Sequence, residues 1–160
     1  KQINVSNYEA EEFLNSYFSK FPEIKVYMDQ TIKFCRKSGY VSNIFGRRSH
    51  FLNINDKNFN IRNFQERAAI NAPIQGSASE IMRLAMIRLY KKLNDQKNEK
   101  VKMLLQIHDE LIFEVPKKEE KAMVKLIKSE MTSVAQSDYH SFSTPLTVDI
   151  NVGDNWGMLH

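Results

Sequence analysis

The chain has 160 residues, of which 42% are hydrophobic and 26% are charged, a composition typical of a globular domain rather than a disordered segment. Its formal net charge of +4 is compatible with a polyanionic partner but does not indicate one. A single cysteine, Cys35, excludes an intrachain disulfide and agrees with a reducing cytoplasmic setting. No apolar run reaches the roughly 18–20 residues of a membrane span, so no membrane partner is expected.

Two helices and a hairpin are predicted at the start of the chain. Ser6 and Glu9 have the spacing of a capping box, which predicts a first helix over about residues 7–19. Pro22 suits the first turn of a second helix, and Gly39 suits its end. The run YVSNIFGRRSHFL then has two short apolar stretches around Gly46 and predicts a hairpin or an extended loop.

The middle of the chain returns to a helical pattern from about residue 61. Pro73 is expected to interrupt this helix, because proline removes a backbone donor and clashes with the preceding turn. The spacing of Ser77 and Glu80 then predicts that a helix restarts or continues.

The last third of the chain has three predicted parts. Residues 101–115 form two β-rich halves, residues 117–136 form an amphipathic helix, and PLTVDINVG (145–153) forms a last strand. The order of helices, hairpins and a final strand predicts an α+β fold, with several helices and a small antiparallel sheet. The residues of the amphipathic helix expected to face inward are Met123, Leu126, Ile127, Met131 and Val134.

Residues 104–115, LLQIHDELIFEV, place His108, Asp109 and Glu110 inside an apolar, strand-like run. Burying adjacent carboxylates without a partner costs several kcal/mol, so a bound cation, a turn into solvent or a salt bridge must offset it. If residues 101–107 and 110–115 pair, the trio lies at a hairpin tip, where Asp109 would face a cation with Glu110 beside it in a lesser role. Such oxygen ligands suit Mg²⁺. The alternative is a plain turn whose carboxylates are solvated or paired with lysine.

Two further groups of polar residues could contact nucleic acid. Arg67, Asn71 and Gln75 are four residues apart, so a continuous helix would place them on one face. Their donors suit the acceptors of the DNA minor groove, although a solvated polar face is the alternative. Arg47 and Arg48 follow a turn glycine and could contact phosphates, or they could be ordinary surface arginines.

Four segments together resemble one protein family in the same order and across essentially the whole chain. They are GYVSNIFGRRSHFLNIN, ERAAINAPIQGSASEIMRLAM, LLQIHDELIFEVP and PLTVDINVGDNW. They are similar to the C-terminal part of bacterial family A DNA polymerases. The resemblance implies that residues 1–160 are a single C-terminal fragment of a polymerase domain. Fingers-side helices and a hairpin would occupy about residues 1–75, and part of the palm would occupy about residues 76–160.

The resemblance also implies roles for individual residues. Asp109 corresponds to a catalytic aspartate that binds metal in the palm, and Glu110 corresponds to the acidic residue beside it. His108 corresponds to a histidine near the primer terminus. The positions that match DNA contacts of the family are Arg47, Arg48, Arg67, Asn71, Gln75 and His108.

The function implied by the resemblance is template-directed DNA synthesis in replication and repair, with two Mg²⁺ ions, dNTPs and primer–template DNA, at the bacterial nucleoid. A second palm carboxylate motif and a dNTP-binding fingers helix do not occur in these residues. The chain is therefore expected to be inactive alone and, because apolar surface would be uncovered, to self-associate. Two alternatives remain. One is a stand-alone module that binds duplex DNA without catalysis, and the other is a purely structural domain in which the HDE trio is only a turn.

Overall fold

A computed structural model describes residues 6–95, 100–137 and 140–159. Residues up to Ile74 form one compact unit, and residues from Gln75 onward form a second. The described residues combine helices with small two-stranded antiparallel sheets, which confirms the predicted α+β class. The α-helices are α1 (Asn7–Lys20), α2 (Pro22–Ser38), α3 (Phe59–Asp95) and α4 (Glu120–Thr132). The strands are β1 (Tyr40–Ser42), β2 (Arg48–His50), β3 (Lys102–Ile107), β4 (Glu110–Glu114), β5 (Gln136–Ser137) and β6 (His140–Ser141).

The structure confirms the predicted caps of α1 and α2. The Glu9 amide donates to Ser6 Oγ (3.2 Å), and the Ser6 amide donates to the Glu9 carboxylate (2.8 Å), which completes a capping box. The Ser6 amide and then its hydroxyl favour the ionised carboxylate and so lower the pKa of Glu9. Pro22 opens α2, and Gly39 ends it with a φ of 78°, which glycine adopts without Cβ strain.

The predicted hairpin around Gly46 is also confirmed. β1 and β2 are antiparallel, with Ser42 opposite Arg48. The turn between them is held by Asn43, whose Oδ1 accepts two backbone amides at 3.0 and 2.9 Å. Gly46 has a φ of 83°, so the tight turn uses the residue that tolerates this backbone conformation best.

A small apolar core holds the first unit together. Cys35 and Ala69 are fully buried in it, so α2 packs against the first half of α3. Burial disfavours the charged thiolate and raises the pKa of Cys35. The buried members of this core are Cys35, Val41, Ile54 and Ala69.

The helix α3 is continuous over 37 residues, so the predicted interruption at Pro73 is wrong. Of the two alternatives predicted at Ser77, the structure confirms that the helix continues rather than restarts. Pro73 lacks only the donor for the carbonyl of Ala69, and tertiary contacts keep the helix intact on both sides. Next to that missing donor, Tyr27 Oη donates to the Ile70 carbonyl (2.9 Å) and adds a hydrogen bond from α2. Among the described residues, no helix is both long and apolar enough to cross a membrane.

The core of the second unit lies between the end of α3, the β3–β4 hairpin and α4. The side of α4 predicted to face inward does so, and Met123 and Ile127 are buried in this core. The α-helix itself is shorter than the predicted 117–136, because 3₁₀ turns occupy Lys117–Glu119 and Ser133–Ala135. The buried members of this core are Leu89, Leu93, Val101, Met123 and Ile127.

The strand predicted over residues 145–153 is wrong, since this segment makes no strand pairing with the described residues. The apolar alternation that suggested it is nevertheless real: Leu146, Val148 and Ile150 are half-buried, whereas Thr147 and Asp149 are exposed. A strand also needs a neighbour with free backbone groups, and alternation alone does not supply one.

Candidate functional site

The HDE trio lies at the tip of the β3–β4 hairpin. The two strands are antiparallel and Ile107 lies opposite Glu110, so only His108 and Asp109 form the turn. Below the tip, Met103 and Phe113 are paired across the strands and pack on the core of the second unit. The apolar flanks therefore anchor the hairpin, and the polar residues are carried at its end.

His108 sits in an unusual backbone conformation at this tip. Its φ is 51°, which lies in the left-handed region of backbone conformation. Residues other than glycine adopt this conformation at a cost of about 1–2 kcal/mol. Gln106 Nε2 donates to the His108 carbonyl (2.6 Å) and so braces the turn. The imidazole is exposed, and it projects from the tip rather than into the core.

Asp109 and Glu110 are exposed as well, so the cost of burying two adjacent carboxylates does not arise. Within the described ranges, neither carboxylate takes part in an ion pair or a side-chain hydrogen bond. Their oxygens are thus available to a hard cation such as Mg²⁺. No group of three or more His, Cys, Asp or Glu residues able to hold a metal occurs among the described residues.

The residues of the predicted donor row, Arg67, Asn71 and Gln75, are all exposed on α3. Since α3 continues through Pro73, the four-residue spacing is retained from Arg67 to Gln75. Two exposed apolar residues that the sequence interpretation missed share this side of the helix: Phe64 is 62% exposed and Ile74 is 61% exposed. Their spacing of three residues from Arg67 and from Asn71 was the signal that could have identified them.

Contacts from α2 hold the part of α3 that carries Arg67 and Asn71. Arg36 Nε donates to the Glu66 carboxylate of α3 at 3.1 Å, and the Tyr27 hydroxyl donates to the Ile70 carbonyl of α3. These two contacts leave the donor row exposed on a braced helix.

The two arginines of the first hairpin occupy different positions. Arg47 lies in the turn and Arg48 opens β2, and both are exposed. The Arg48 guanidinium lies over the ring of Tyr40, 4.4 Å from its centroid, in a cation–π contact. This contact limits where the charge of Arg48 can point.

A buried carboxylate occurs further along α3. Glu80 is 8% exposed and forms an ion pair with Arg83 one turn later, with Arg83 Nε 3.1 Å from the carboxylate. The hydrogen bond with Glu80 raises the pKa of Arg83. This pair lies inside one helix and gives Glu80 a structural role rather than a place at the hairpin tip.

Comparison with known proteins identifies the family. The family model for DNA polymerase family A matches residues 1–158, and the chain belongs to this family. It is 42% identical over 156 residues to DNA polymerase I of Caldicellulosiruptor bescii, covering 98% of this chain and 18% of that protein. It is 46% identical over 154 residues to DNA polymerase I of Streptococcus pneumoniae, covering 96% of this chain and 17% of that protein. The chain thus spans less than a fifth of the length of these curated relatives.

A solved structure gives the same result for the fold. The chain superposes on the polymerase domain of Pol1 from M. smegmatis, in complex with DNA primer-template and dNTP, with a TM-score of 0.89 and 34% identity. The match covers 97% of this chain and 26% of that one.

Proposed function

We propose that this chain forms part of a DNA polymerase that extends a primer by template-directed nucleotidyl transfer. Membership of DNA polymerase family A supports this activity for the longer protein. The observation that carries the proposal is the hairpin tip, where Asp109 and Glu110 are exposed at the end of two strands that pack on the core of the second unit. In this proposal, residues up to about 75 belong to the fingers and the later residues belong to the palm.

Asp109 is proposed as the metal ligand of the tip, and Glu110 as the carboxylate that supports it. Both groups offer oxygen ligands free of ion pairs with described residues, as a Mg²⁺ site requires. Two bound Mg²⁺ ions would activate the primer 3′-oxygen and neutralise the leaving pyrophosphate. His108, directly before Asp109 in the turn, is proposed to contact the primer terminus.

The exposed row on α3 is proposed to contact the minor groove of the primer–template duplex. Arg67, Asn71 and Gln75 offer donors to acceptors that every base pair presents at similar positions. Such donors test the geometry of a pair rather than its sequence. Arg47 and Arg48 are proposed to contact the DNA backbone, where guanidinium groups bind phosphate well.

The chain alone is proposed to be inactive. A two-metal site needs several carboxylates, and the described residues bring no three ligands together. The remaining ligands and the dNTP-binding helix would come from other parts of the longer polymerase, which would act on DNA in the bacterial cytoplasm.

Primer extension tests this proposal. The purified chain and the full-length polymerase would be assayed with Mg²⁺ on a labelled primer–template, each as wild type and as Asp109→Asn. We expect no extension by the chain, and a loss of at least about 100-fold in the full-length variant, since removing even a supporting group of a metal site costs 10–100-fold. Glu114→Gln is the matched control, because it removes an exposed carboxylate from the far end of β4 and should leave activity near wild type.

The other outcomes separate the alternatives. Extension by the chain that is lost in Asp109→Asn would refute the inactive-fragment proposal and require a second metal carboxylate within these residues. Full activity of the Asp109→Asn polymerase would refute the assigned metal ligand. Tight, Mg²⁺-independent duplex binding without synthesis in the full-length protein would instead favour the non-catalytic binding module.

A further inference from the structure

The exposed side of α4 carries three lysines, Lys121, Lys125 and Lys128, which we call the lysine stripe. Their spacing of four and then three residues places them on one side of the helix, whereas Met123 and Ile127 are buried on the other. All three lysines are exposed. At 1.5 Å per residue the stripe extends about 10 Å along the helix.

The lysine stripe is not neutralised by its surroundings. Within the described ranges no ion pair involves any of the three lysines. The two carboxylates of α4, Glu120 and Glu130, are half-buried, and neither has the spacing of three or four residues that would bring it beside a lysine of the stripe. Like charges at this spacing destabilise a helix, so the arrangement lowers the stability of the free protein. A bound anion would offset that repulsion.

The helix α2 shows the contrasting arrangement. It carries Lys25 and Lys33 on its exposed surface, with Asp29 four residues from each of them. Alternating charges of this kind stabilise a solvated helix surface without a ligand. On α4, by contrast, no carboxylate stands three or four residues from any lysine of the stripe.

We propose that the lysine stripe is a second DNA-contacting surface, which binds phosphates of duplex DNA separately from the donor row on α3. The choice of DNA as the polyanion rests on the proposed function. Ammonium groups act as point charges that neutralise phosphates without reading bases, so the contact is independent of sequence. The length of about 10 Å corresponds to about three nucleotide steps of 3.4 Å along one strand.

Salt-dependent binding tests the proposal. The purified 160-residue chain would be titrated onto a fluorescein-labelled, blunt-ended 20-base-pair duplex without Mg²⁺, at several NaCl concentrations between about 50 and 200 mM. Each phosphate contact contributes about 0.9 to the slope of log K against log [NaCl]. We expect the triple variant Lys121→Gln, Lys125→Gln, Lys128→Gln to reduce that slope by about 2–3 and to bind at least about tenfold more weakly at the lowest salt concentration.

A matched variant removes the same charge from α2. Lys25→Gln, Lys33→Gln, Lys37→Gln lowers the net charge equally at exposed positions, and it should leave the slope unchanged. Circular dichroism would verify that both variants keep their helix content. An equal loss in both variants would show that net charge alone drives binding, and no binding by the wild type would also overturn the proposal.

The failure of the proposed function is distinguishable from the failure of this inference. A second triple variant removes the donor row through Arg67→Ala, Asn71→Ala and Gln75→Ala. This variant should retain the contribution of the lysine stripe to the slope of log K against log [NaCl]. One outcome is that Asp109→Asn leaves synthesis intact while the lysine variant reduces the slope of log K against log [NaCl]. In that case the stripe remains a DNA-binding surface of a protein with another activity. If synthesis depends on Asp109 while the lysine variant binds like wild type, only the stripe is refuted.

Discussion

At the scale of single residues, His108 carries the only positive φ, 51°, among the non-glycine residues that the structure describes. Backbone conformations of this kind persist where the surroundings hold them, and they concentrate at functional sites. The bond from Gln106 holds the backbone here, while the exposed imidazole gains no packing in return. A role for the imidazole at the primer terminus would account for histidine at a position that suits glycine.

Substitutions at His108 should separate backbone strain from function. We expect His108→Gly to change the free energy of unfolding by less than about 1 kcal/mol, since relief of strain offsets the greater freedom of the unfolded chain. His108→Val should destabilise by about 1–2 kcal/mol, because a β-branched residue tolerates positive φ poorly. Urea denaturation of the chain measures both, and equal stability of the two variants would contradict a strained turn. In the full-length polymerase, the stable His108→Gly variant should still lose synthesis if the imidazole contacts the primer.

At the scale of elements, the hydrogen bond from Tyr27 to the Ile70 carbonyl braces α3 to α2 close to Pro73. Tyr27→Phe removes only the hydroxyl and should lower the free energy of unfolding by about 0.5–1.5 kcal/mol. Hydrogen exchange should show faster opening near Ile70 than in the wild type. Tyr90→Phe is the control, since Tyr90 is 63% exposed on α3 and should be neutral. Equal effects of the two variants would show that the Tyr27 hydrogen bond does not brace α3.

At the scale of the whole molecule, the sequence predicts those caps and turns that depend only on residues close together in the chain. The capping box of Ser6 and Glu9, the left-handed Gly39 and the two-residue turn at His108 and Asp109 follow from sequence spacing alone. The two wrong predictions depend on partners distant in sequence. Ala69, whose carbonyl loses its donor at Pro73, is buried in one core with Cys35 of α2. Residues 145–153 have the alternation of a strand without a described neighbour to pair with.

The proposed metal site shows the same limit, because a set of metal ligands need not be close together in sequence. Asp109 and Glu110 were found from their position between apolar strands, and the structure adds that both are exposed at the hairpin tip. The described residues hold no third ligand near them, so neither the spacing nor the fold of this chain completes the site.

Apolar surface on α1 makes a prediction for the molecule as a whole. Phe13 and Leu14 are 70% and 51% exposed, and Tyr17, about one turn later, contacts Phe21 with ring centroids 5.2 Å apart. We call these four exposed residues the apolar ridge. Exposed apolar patches mark surfaces that other protein covers. In a chain that spans less than a fifth of its relatives, a second copy is the available cover, so we expect self-association at micromolar concentrations.

Sedimentation velocity over a hundredfold concentration range would measure this self-association. Phe13→Gln combined with Leu14→Gln should shift the chain to monomer, because two exposed members of the ridge become polar. Leu52→Gln is the matched control: Leu52 is 92% exposed but lies in a loop outside the ridge, and an isolated surface leucine contributes little to association. Two outcomes would show that the ridge on α1 does not drive association. One is a wild-type chain that stays monomeric at every concentration, and the other is a control variant that dissociates as fully as the double variant.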